Sequence, residues 1–299
     1  MAKTMVEPSW HSSQKISPRI TQKIAFAAVW ICGVIAILAL FLIVGYVLFR
    51  GGRSLTPAFL FSAPEGGIAG EGGISTVIIT TIIMVILTTV ILTPLGIAAA
   101  IYLSEYALDN WFTNIIRYGI DLLAGVPSII FGLFGYVVFV VALHFNFSLL
   151  SGALALVALE LPVMIRTVEE AMKTVPLSYR EASFALGATK WQTVRQVILP
   201  AAMPGIVTAI ILTTGRTLSE TAALYVTMGG SSALPNSLFS GGRTLALHIF
   251  YLAMDTNAFD KAMGTGIILI ILIIVINLIT HRLSRWYQTR IGIKGMDKG

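Results

Sequence analysis

Long apolar runs, free of charge and separated by shorter polar segments, dominate the chain. A helix needs about 20 apolar residues to cross the hydrocarbon core of a bilayer. Most of the runs approach or exceed that length, so the pattern predicts an all-α, polytopic membrane protein. The charge-free runs cover residues 24–49, 72–104, 122–159, 196–215, 221–242 and 262–280.

Two of these runs do not correspond to single spans. The run 122–159 is too long for one crossing, and its middle, residues 144–148 (HFNFS), is the expected turn between two spans. The run 221–242 contains GGSSALPNS and a second Gly-Gly pair, which indicates the end of a span followed by a loop. The sequence therefore predicts six transmembrane helices. They lie near 24–49, 74–103, 120–143, 150–172, 199–227 and 264–286.

Composition supports the membrane assignment. The chain has 299 residues, of which 56% are hydrophobic and only 11% charged, whereas soluble domains carry about 25% charged residues. The formal net charge of +6 does not indicate nucleic-acid binding, because the basic residues lie between the spans and form no single patch. Cys32 is the one cysteine, and the histidines show no metal-ligand spacing, so the sequence predicts no disulfide and no metal site.

The distribution of Lys and Arg predicts the orientation. With the N-terminus inside, fourteen of the 20 basic residues fall on the cytoplasmic side and four outside, as the positive-inside rule requires. Both termini are then cytoplasmic, as tails of residues 1–23 and 288–299. The first apolar run, 24–49, exceeds the apolar core of about 7–15 residues in a signal peptide, so we expect it to be an uncleaved span.

The polar segment 173–200 lies between the fourth and fifth predicted spans, on the cytoplasmic side. Pro176 suits the first turn of a helix, because its missing N–H needs no partner there. The helical pattern then breaks at Gly187, and Thr189 can cap a second helix. The segment therefore predicts a helix–Gly–helix unit along the inner membrane face. A solvated loop between two spans is the alternative.

This segment resembles the EAA loop of the membrane subunits (permeases) of ABC importers. The residues that carry the spaced pattern are Glu181, Ala182, Ser183, Gly187, Val197, Leu199 and Pro200. Two of them depart from it conservatively, with Ser183 in place of Ala and Val197 in place of Ile. The resemblance implies a type I ABC importer permease fold over residues 71–287. It also implies that 173–200 contains the coupling helix, which binds the separate ATPase of such a transporter. The expected coupling residues are Glu181, Ala182, Gly187, Leu199 and Pro200.

Three further stretches resemble the permeases of phosphate importers, and among these the PstA type. They are residues 123–135 (LAGVPSIIFGLFG), 166–169 (RTVE) and 216–221 (RTLSET). The resemblance implies a prokaryotic plasma (inner) membrane location and four kinds of partner. These are an ATPase dimer (PstB type), a second permease (PstC type), an extracytoplasmic phosphate-binding protein (PstS type) and the lipid bilayer.

The chain contains no GxxxxGK[ST] phosphate-binding loop. We therefore expect it to be a transport subunit rather than an enzyme, without a cofactor of its own. ATP and Mg²⁺ would bind to the partner ATPase.

Four charged residues within the spans are candidates for the substrate path. Arg216 lies 16 residues beyond Pro200, or about 24 Å along a helix, and a charge at that depth normally faces a partner or a cavity. Glu220, four positions on, is expected to pair with it. The alternative is an ion pair that only fixes helix packing. Arg166 and Glu169 are further candidates, although Arg166 could simply be another positive-inside residue.

Other functions remain open at the level of the sequence. The same machine could carry another anion, such as sulfate or molybdate, or an organic ion. A secondary transporter or channel acting alone is a different class, but the internal repeats common in that class are not evident. A membrane enzyme is disfavoured because no nucleophile–base pair or metal set is visible.

Overall fold

The structure is a computed structural model that describes residues 18–65, 71–256 and 258–290. Most of the predicted N-terminal tail, the end of the C-terminal tail and the glycines at 66, 67 and 70 lie outside the described residues.

The described residues are almost entirely helical, which confirms the all-α prediction. The helices are α1 (Pro18–Gly51), α2 (Pro57–Phe61), α3 (Ser75–Ile101), α4 (Trp111–Ala124), α5 (Ser128–Gly135), α6 (Leu149–Lys173), α7 (Leu177–Ala185), α8 (Lys190–Thr193), α9 (Leu199–Ser219), α10 (Ala222–Thr227), α11 (Leu245–Met254) and α12 (Phe259–Arg290). Turns of π-helix follow three of them, at Tyr102–Tyr106, Tyr136–Ala142 and Val194–Ile198. Two short antiparallel strands, β1 (Pro64–Glu65) and β2 (Glu71–Gly72), pair in front of α3.

Within the described ranges, five helices are long and apolar enough to cross a membrane, and a bent pair of helices raises the number to six. The six predicted spans agree with this count. α1 belongs to a unit of its own that ends at Phe49. Its apolar side chains are exposed along its length, as expected of a helix that faces lipid.

The third span differs from the prediction because it is broken. Its two parts, α4 and α5, are separated by Gly125–Pro127 and differ in direction by 103°. Pro127 has no N–H to donate and disfavours the helical conformation of the residue before it. The span also begins at Trp111, nine residues before the predicted start, since α4 carries polar groups that the hydropathy pattern excluded.

Two further differences lie at the end of the fifth span. α9 ends at Ser219, and the chain continues as the short helix α10 rather than as one helix to residue 227. The following region, read as a loop, contains the ten-residue helix α11. α11 is too short to cross a bilayer, so a search for span-length runs missed it.

α6 forms the centre of the second unit, residues 50–299, and packs against α3, α4, α5 and α9. One end of this helix contributes Met164, Val168 and Met172 to an apolar cluster with α3 and α9. The other end contributes Leu149 and Leu156 to a second cluster with α5, α10 and α11. Most of α6 is therefore covered by protein, and Glu160 and Glu169 are buried within that packing.

The packing of α9 on α6 depends on a glycine. A Cβ atom at Gly205 would overlap the Cβ of Ala171 on α6. Small residues let transmembrane helices approach closely, so that packing and interhelical contacts hold them together. Gly215, on the same helix, has no atom within 4 Å of such a Cβ position.

We expect Gly205→Ala to lower the free energy of unfolding by about 1–3 kcal/mol, because the added methyl group forces α9 away from α6. Gly215→Ala is the matched control, and it should be neutral or stabilise by up to about 1 kcal/mol through helix propensity. Unfolding of both variants in detergent gives the comparison. Equal stability of the two would contradict the close approach.

Candidate functional site

The polar segment 173–200 folds as the sequence predicts. α7 and α8 are joined at Gly187, whose φ of +81° lies in the left-handed region that favours glycine. The Thr189 side chain accepts from the N–H of Gln192, and the Gln192 side chain accepts from the N–H of Thr189, which forms a capping box. The Ser183 and Thr193 hydroxyls, 2.9 Å apart, join the two helices.

The outward surface of this segment is unusually apolar for a water-facing element. Glu181 and Ala182 are exposed beside it, while Leu199 and Pro200 begin α9. The large apolar and aromatic side chains left exposed on α7, α8 and their connection are Leu177, Tyr179, Phe184, Leu186 and Trp191. Exposed apolar side chains concentrated on one short segment are typical of a protein interface.

Deep between the helices, Arg216 of α9 pairs with Glu160 of α6. The Arg216 Nε donates to Glu160 Oε1 at 3.0 Å and lies 2.9 Å from Oε2. Oε2 accepts no hydrogen bond, so the second contact is an ion pair without hydrogen-bond geometry. Both residues lie roughly 20–25 Å along their helices from the coupling segment.

The two partners differ sharply in exposure. The Glu160 side chain is 0% exposed, whereas that of Arg216 is 46% exposed. Within the described part of the chain, neither Nη group of Arg216 donates a hydrogen bond, and the contact with Glu160 is made by Nε. The Glu160 carboxylate therefore binds the guanidinium through Nε. The two Nη groups, on the other edge of the guanidinium plane, are left available to a ligand.

The expected pairing of Arg216 with Glu220 is wrong. α9 ends at Ser219, and Glu220 has an extended backbone with ψ of 132°, so the spacing of four residues no longer places both on one helix face. Instead, Glu220 Oε1 accepts from the backbone N–H groups of Thr221 and Ala223 at 3.1 and 3.2 Å. Glu220 caps the start of α10, and Glu160 is the carboxylate that pairs with Arg216.

Arg166 and Glu169 lie in a separate ion cluster nearer the coupling segment. Glu169 is 2% exposed and has Lys173 Nζ at 2.7 Å, Arg117 Nε at 3.1 Å and Arg166 Nη1 at 4.0 Å. Arg166 also contacts Asp121 and Glu170. The cluster fastens α4 to α6. The four predicted path residues therefore form two groups rather than one site.

The fold and these contacts can be compared with known proteins. The family model described as binding-protein-dependent transport system inner membrane component matches residues 92–293. The chain belongs to this family. It is thus a permease, the membrane subunit of an ABC importer, and this family works together with ATPase and binding-protein partners.

Curated relatives and solved structures agree with this assignment. The permease is 34% identical to the probable ABC transporter permease YqgI of Bacillus subtilis, over 91% of this chain and 97% of that protein. It is also 34% identical to the phosphate transport system permease protein PstA 1 of Mycobacterium tuberculosis (strain H37Rv), over 91% and 90% of the two chains. A bacterial alginate ABC transporter, at 16% identity, superposes with a TM-score of 0.65 over 90% of this chain and 98% of that one, which supports the fold.

At the end of the permease opposite the coupling segment, a cavity of about 240 Å³ lies between the β1–β2 hairpin and α11. Arg243 lies over the ring of Tyr251 at 4.1 Å, donates from Nε to the Gly230 carbonyl at 2.8 Å, and has Nη1 3.4 Å from His248 Nδ1. Burial, together with the charges of Arg243 and Lys261, lowers the pKa of His248 to about 4. The neutral imidazole is therefore the form that this packing requires.

We expect Arg216→Gln to destabilise the permease more than Glu160→Gln does. Arg216→Gln leaves the fully buried Glu160 carboxylate without a counter-charge, at a cost of about 3 kcal/mol or more. Glu160→Gln leaves a guanidinium that is half exposed and a neutral oxygen that still accepts, so its cost should be nearer about 1 kcal/mol. Chemical unfolding in detergent measures both.

The double variant Glu160→Gln/Arg216→Gln should cost less than the sum of the single changes, because it removes both charges together. Glu170→Gln, which changes an exposed carboxylate about 15 Å along α6 from Glu160, is the matched control and should not couple to Arg216→Gln. Simple additivity for Glu160 and Arg216 would mean that the ion pair contributes nothing.

The pKa of His248 makes stability depend on pH. The folded-state pKa of about 4 lies below the ordinary value of about 6.5, so the unfolded chain binds the proton first. The contribution of this shift to the free energy of unfolding is fully present above pH about 6.5. It falls by up to about 1.4 kcal/mol per pH unit toward pH 4, a loss of about 3 kcal/mol in all. Unfolding free energies at pH 7.5 and 5 should show this loss.

His248→Asn should flatten that dependence, whatever it does to stability at pH 7.5. His144→Asn, a change at an exposed histidine, should leave the slope as it is in the parent protein. A slope that persists in the His248 variant would assign the pH dependence to other groups.

Proposed function

We propose that this chain is a PstA-type permease: it carries inorganic phosphate across the plasma (inner) membrane as one of two permeases, driven by a separate ATPase dimer. The observation that carries the proposal is the half-exposed Arg216, held through Nε by the buried Glu160. The relative from Mycobacterium tuberculosis, whose name specifies phosphate transport, supports the choice of solute.

The geometry of the pair suits a tetrahedral oxyanion. A guanidinium presents planar, paired N–H donors that match two oxygens of a phosphate group. In Arg216 the Nη edge is available, and the buried carboxylate fixes the orientation of that edge. Because Glu160 already neutralises one unit of charge, a phosphate ion would be held without being trapped, as a transported solute must be.

An acidic group beside the path would favour phosphate over sulfate. At neutral pH phosphate keeps a proton that a carboxylate can accept in a hydrogen bond, whereas sulfate has none to donate. Glu220 follows Arg216 by four residues and uses Oε1 for the cap of α10. Both hydrogen bonds of that cap go to Oε1, and Oε2 is the group we assign to this discrimination.

The exposed apolar surface of α7 and α8 is the expected contact for the ATPase, which would be of the PstB type and would bind ATP and Mg²⁺. Glu181, Ala182 and Gly187 lie on or beside that surface. The cytoplasmic side is then the side of the coupling segment, and both termini are cytoplasmic by the charge distribution. A PstC-type permease would form the other half of the path, and a PstS-type protein would deliver phosphate from outside.

Transport would follow by alternating access. Closure of the ATPase displaces the coupling segment, and the helices that it holds tilt so that the Arg216 region opens first to one side and then to the other. Arg166, which is 40% exposed in the ion cluster nearer the cytoplasm, would be met by the solute after Arg216, with the buried Glu169 behind it. No covalent intermediate is involved in this chain.

Uptake of labelled phosphate into proteoliposomes containing the whole transporter tests the proposal. The parent complex should take up phosphate in the presence of ATP and binding protein, and labelled sulfate far more slowly. Arg216→Gln should lower phosphate uptake at least ten-fold, since the donors that face the solute are gone, while Arg19→Gln, an exposed change in α1, should not.

Two results would contradict the proposal. Equal or faster uptake of sulfate or molybdate would assign a different anion to the same machine. Normal phosphate uptake by an assembled Arg216→Gln transporter would remove Arg216 from the path.

A further inference from the structure

The cytoplasmic end of α3 is held by both arms of the coupling segment. The Arg180 Nη2 of α7 donates to Glu105 Oε1 at 2.8 Å. From the other arm, the Lys190 ammonium of α8 lies 5.1 Å from the centre of the Tyr106 ring. Glu105 and Tyr106 are consecutive residues in the π-helical turn that ends α3.

Arg180 also fastens this joint to α6. Its Nη1 donates to the Val175 carbonyl at 2.8 Å, and its Nη2 to the Met172 carbonyl at 3.2 Å. These carbonyls lie at or just beyond the C-terminal end of α6, where a cation is favoured by the helix dipole and by unpaired carbonyl groups. One guanidinium therefore connects α3, α6 and α7.

The joint is largely shielded from water. The Glu105 side chain is 9% exposed and that of Arg180 is 16% exposed. A pair in such surroundings is screened far less by salt than a surface pair, and the removal of one partner leaves the other charge uncompensated. Asp109, four residues after Glu105, offers a contrast, because it also pairs with an arginine, Arg117, but is 90% exposed.

The opposite end of α3 contacts the outer part of the molecule. The Thr76 hydroxyl donates to the Ser232 carbonyl at 2.8 Å, and the Thr81 hydroxyl accepts from the backbone N–H of Leu245 at 2.9 Å. Ser232 lies in the connection between α10 and α11, and Leu245 begins α11. Together with its π-helical turn, α3 extends about 45 Å from these contacts to the coupling segment as one helix, with Pro94 inside it.

We propose that Glu105 and Arg180 are positioning residues that join the coupling segment to α3, and that α3 transmits its displacement to the 229–245 region on the outer side. The inference rests on the proposed function in so far as an ATPase moves the coupling segment. It does not depend on which solute is carried. Because α3 contacts the coupling segment at one end and the 229–245 region at the other, a displacement of the helix affects both regions. A shared element of this kind can carry energetic coupling between two sites.

A solute-free measurement tests the joint in the complete transporter. Asn236 is exposed in the outer connection, so a fluorophore on Asn236→Cys, in a Cys32→Ser background, reports on that region. Addition of a non-hydrolysable ATP analogue should change its emission in the parent complex. Glu105→Gln and Arg180→Gln should each weaken the coupling between nucleotide binding and the state of the outer connection by about five- to thirty-fold. Asp109→Asn should retain the nucleotide response of the parent.

A purely structural role is separated by two further readouts. In both Gln variants, the amount of ATPase that co-purifies and its basal rate of ATP hydrolysis should stay within about two-fold of the parent. The number of phosphate ions carried per ATP hydrolysed should fall. The double variant Glu105→Gln/Arg180→Gln should be no worse than either single variant, because both changes break one joint. Combination of Arg180→Gln with Asp109→Asn should show no such saturation.

An unchanged nucleotide response in the assembled Gln variants would overturn the proposal, as would simple additivity of the two changes. Should the Gln variants not assemble, Tyr106→Leu tests the contact from α8 at the same end of α3. A reduced response there supports the joint, and a full response overturns it. A parent complex that answers nucleotide but carries no phosphate would refute the proposed solute and leave the joint standing.

Discussion

The pair of Glu160 and Arg216 imposes the strongest constraint on this membrane protein. A fully buried carboxylate between apolar helices is tolerable only with a counter-charge in contact, and Arg216 is the residue that supplies it. The pair therefore fixes the register of α9 against α6. It also sets the depth at which the guanidinium of Arg216 is exposed. The contact that stabilises the packing therefore also positions a group that could bind the solute.

α6 connects this pair to the rest of the molecule. It carries Glu160 near its middle and Glu169 near its end, and the Met172 carbonyl in its last turn accepts from Arg180 of the coupling segment. Ionic contacts thus follow one buried helix from the depth of Arg216 to the surface where an ATPase would bind. Apolar packing fills the space between them, so displacement of the coupling segment meets a stiff structure rather than a flexible linker.

Much of this could be predicted from the sequence. Apolar run lengths gave the number of spans, and Gly187 and Thr189 gave the helix–Gly–helix unit, because turn and cap chemistry is local. The partner of Arg216 was missed for a physical reason: the rule of four residues applies only within a continuous helix, and α9 ends before Glu220. A comparison of depths across the predicted spans would have found Glu160, which lies about as far from the coupling segment as Arg216 does.

The break between α4 and α5 and the short helix α11 could not be predicted from the sequence, for other reasons. Pro127 disfavours a straight helix, but the bend of 103° depends on packing against α6 and α10. α11 is stabilised by contacts distant in sequence, such as that of Leu245 with Thr81, and carries no span-length pattern. Tertiary contacts decided both features.

The proposed transport path requires that the outer edge of Arg216 faces water rather than lipid. Leu212, one helical turn before it, is exposed in the isolated chain. The reaction of Leu212→Cys with a membrane-impermeant thiol reagent, in the assembled transporter and a Cys32→Ser background, measures this directly. Labelling that changes with nucleotide and is slowed by phosphate is the result expected. An absence of labelling in every nucleotide state, as expected for Phe41→Cys on the exposed apolar surface of α1, would place this face of α9 against lipid and contradict the account.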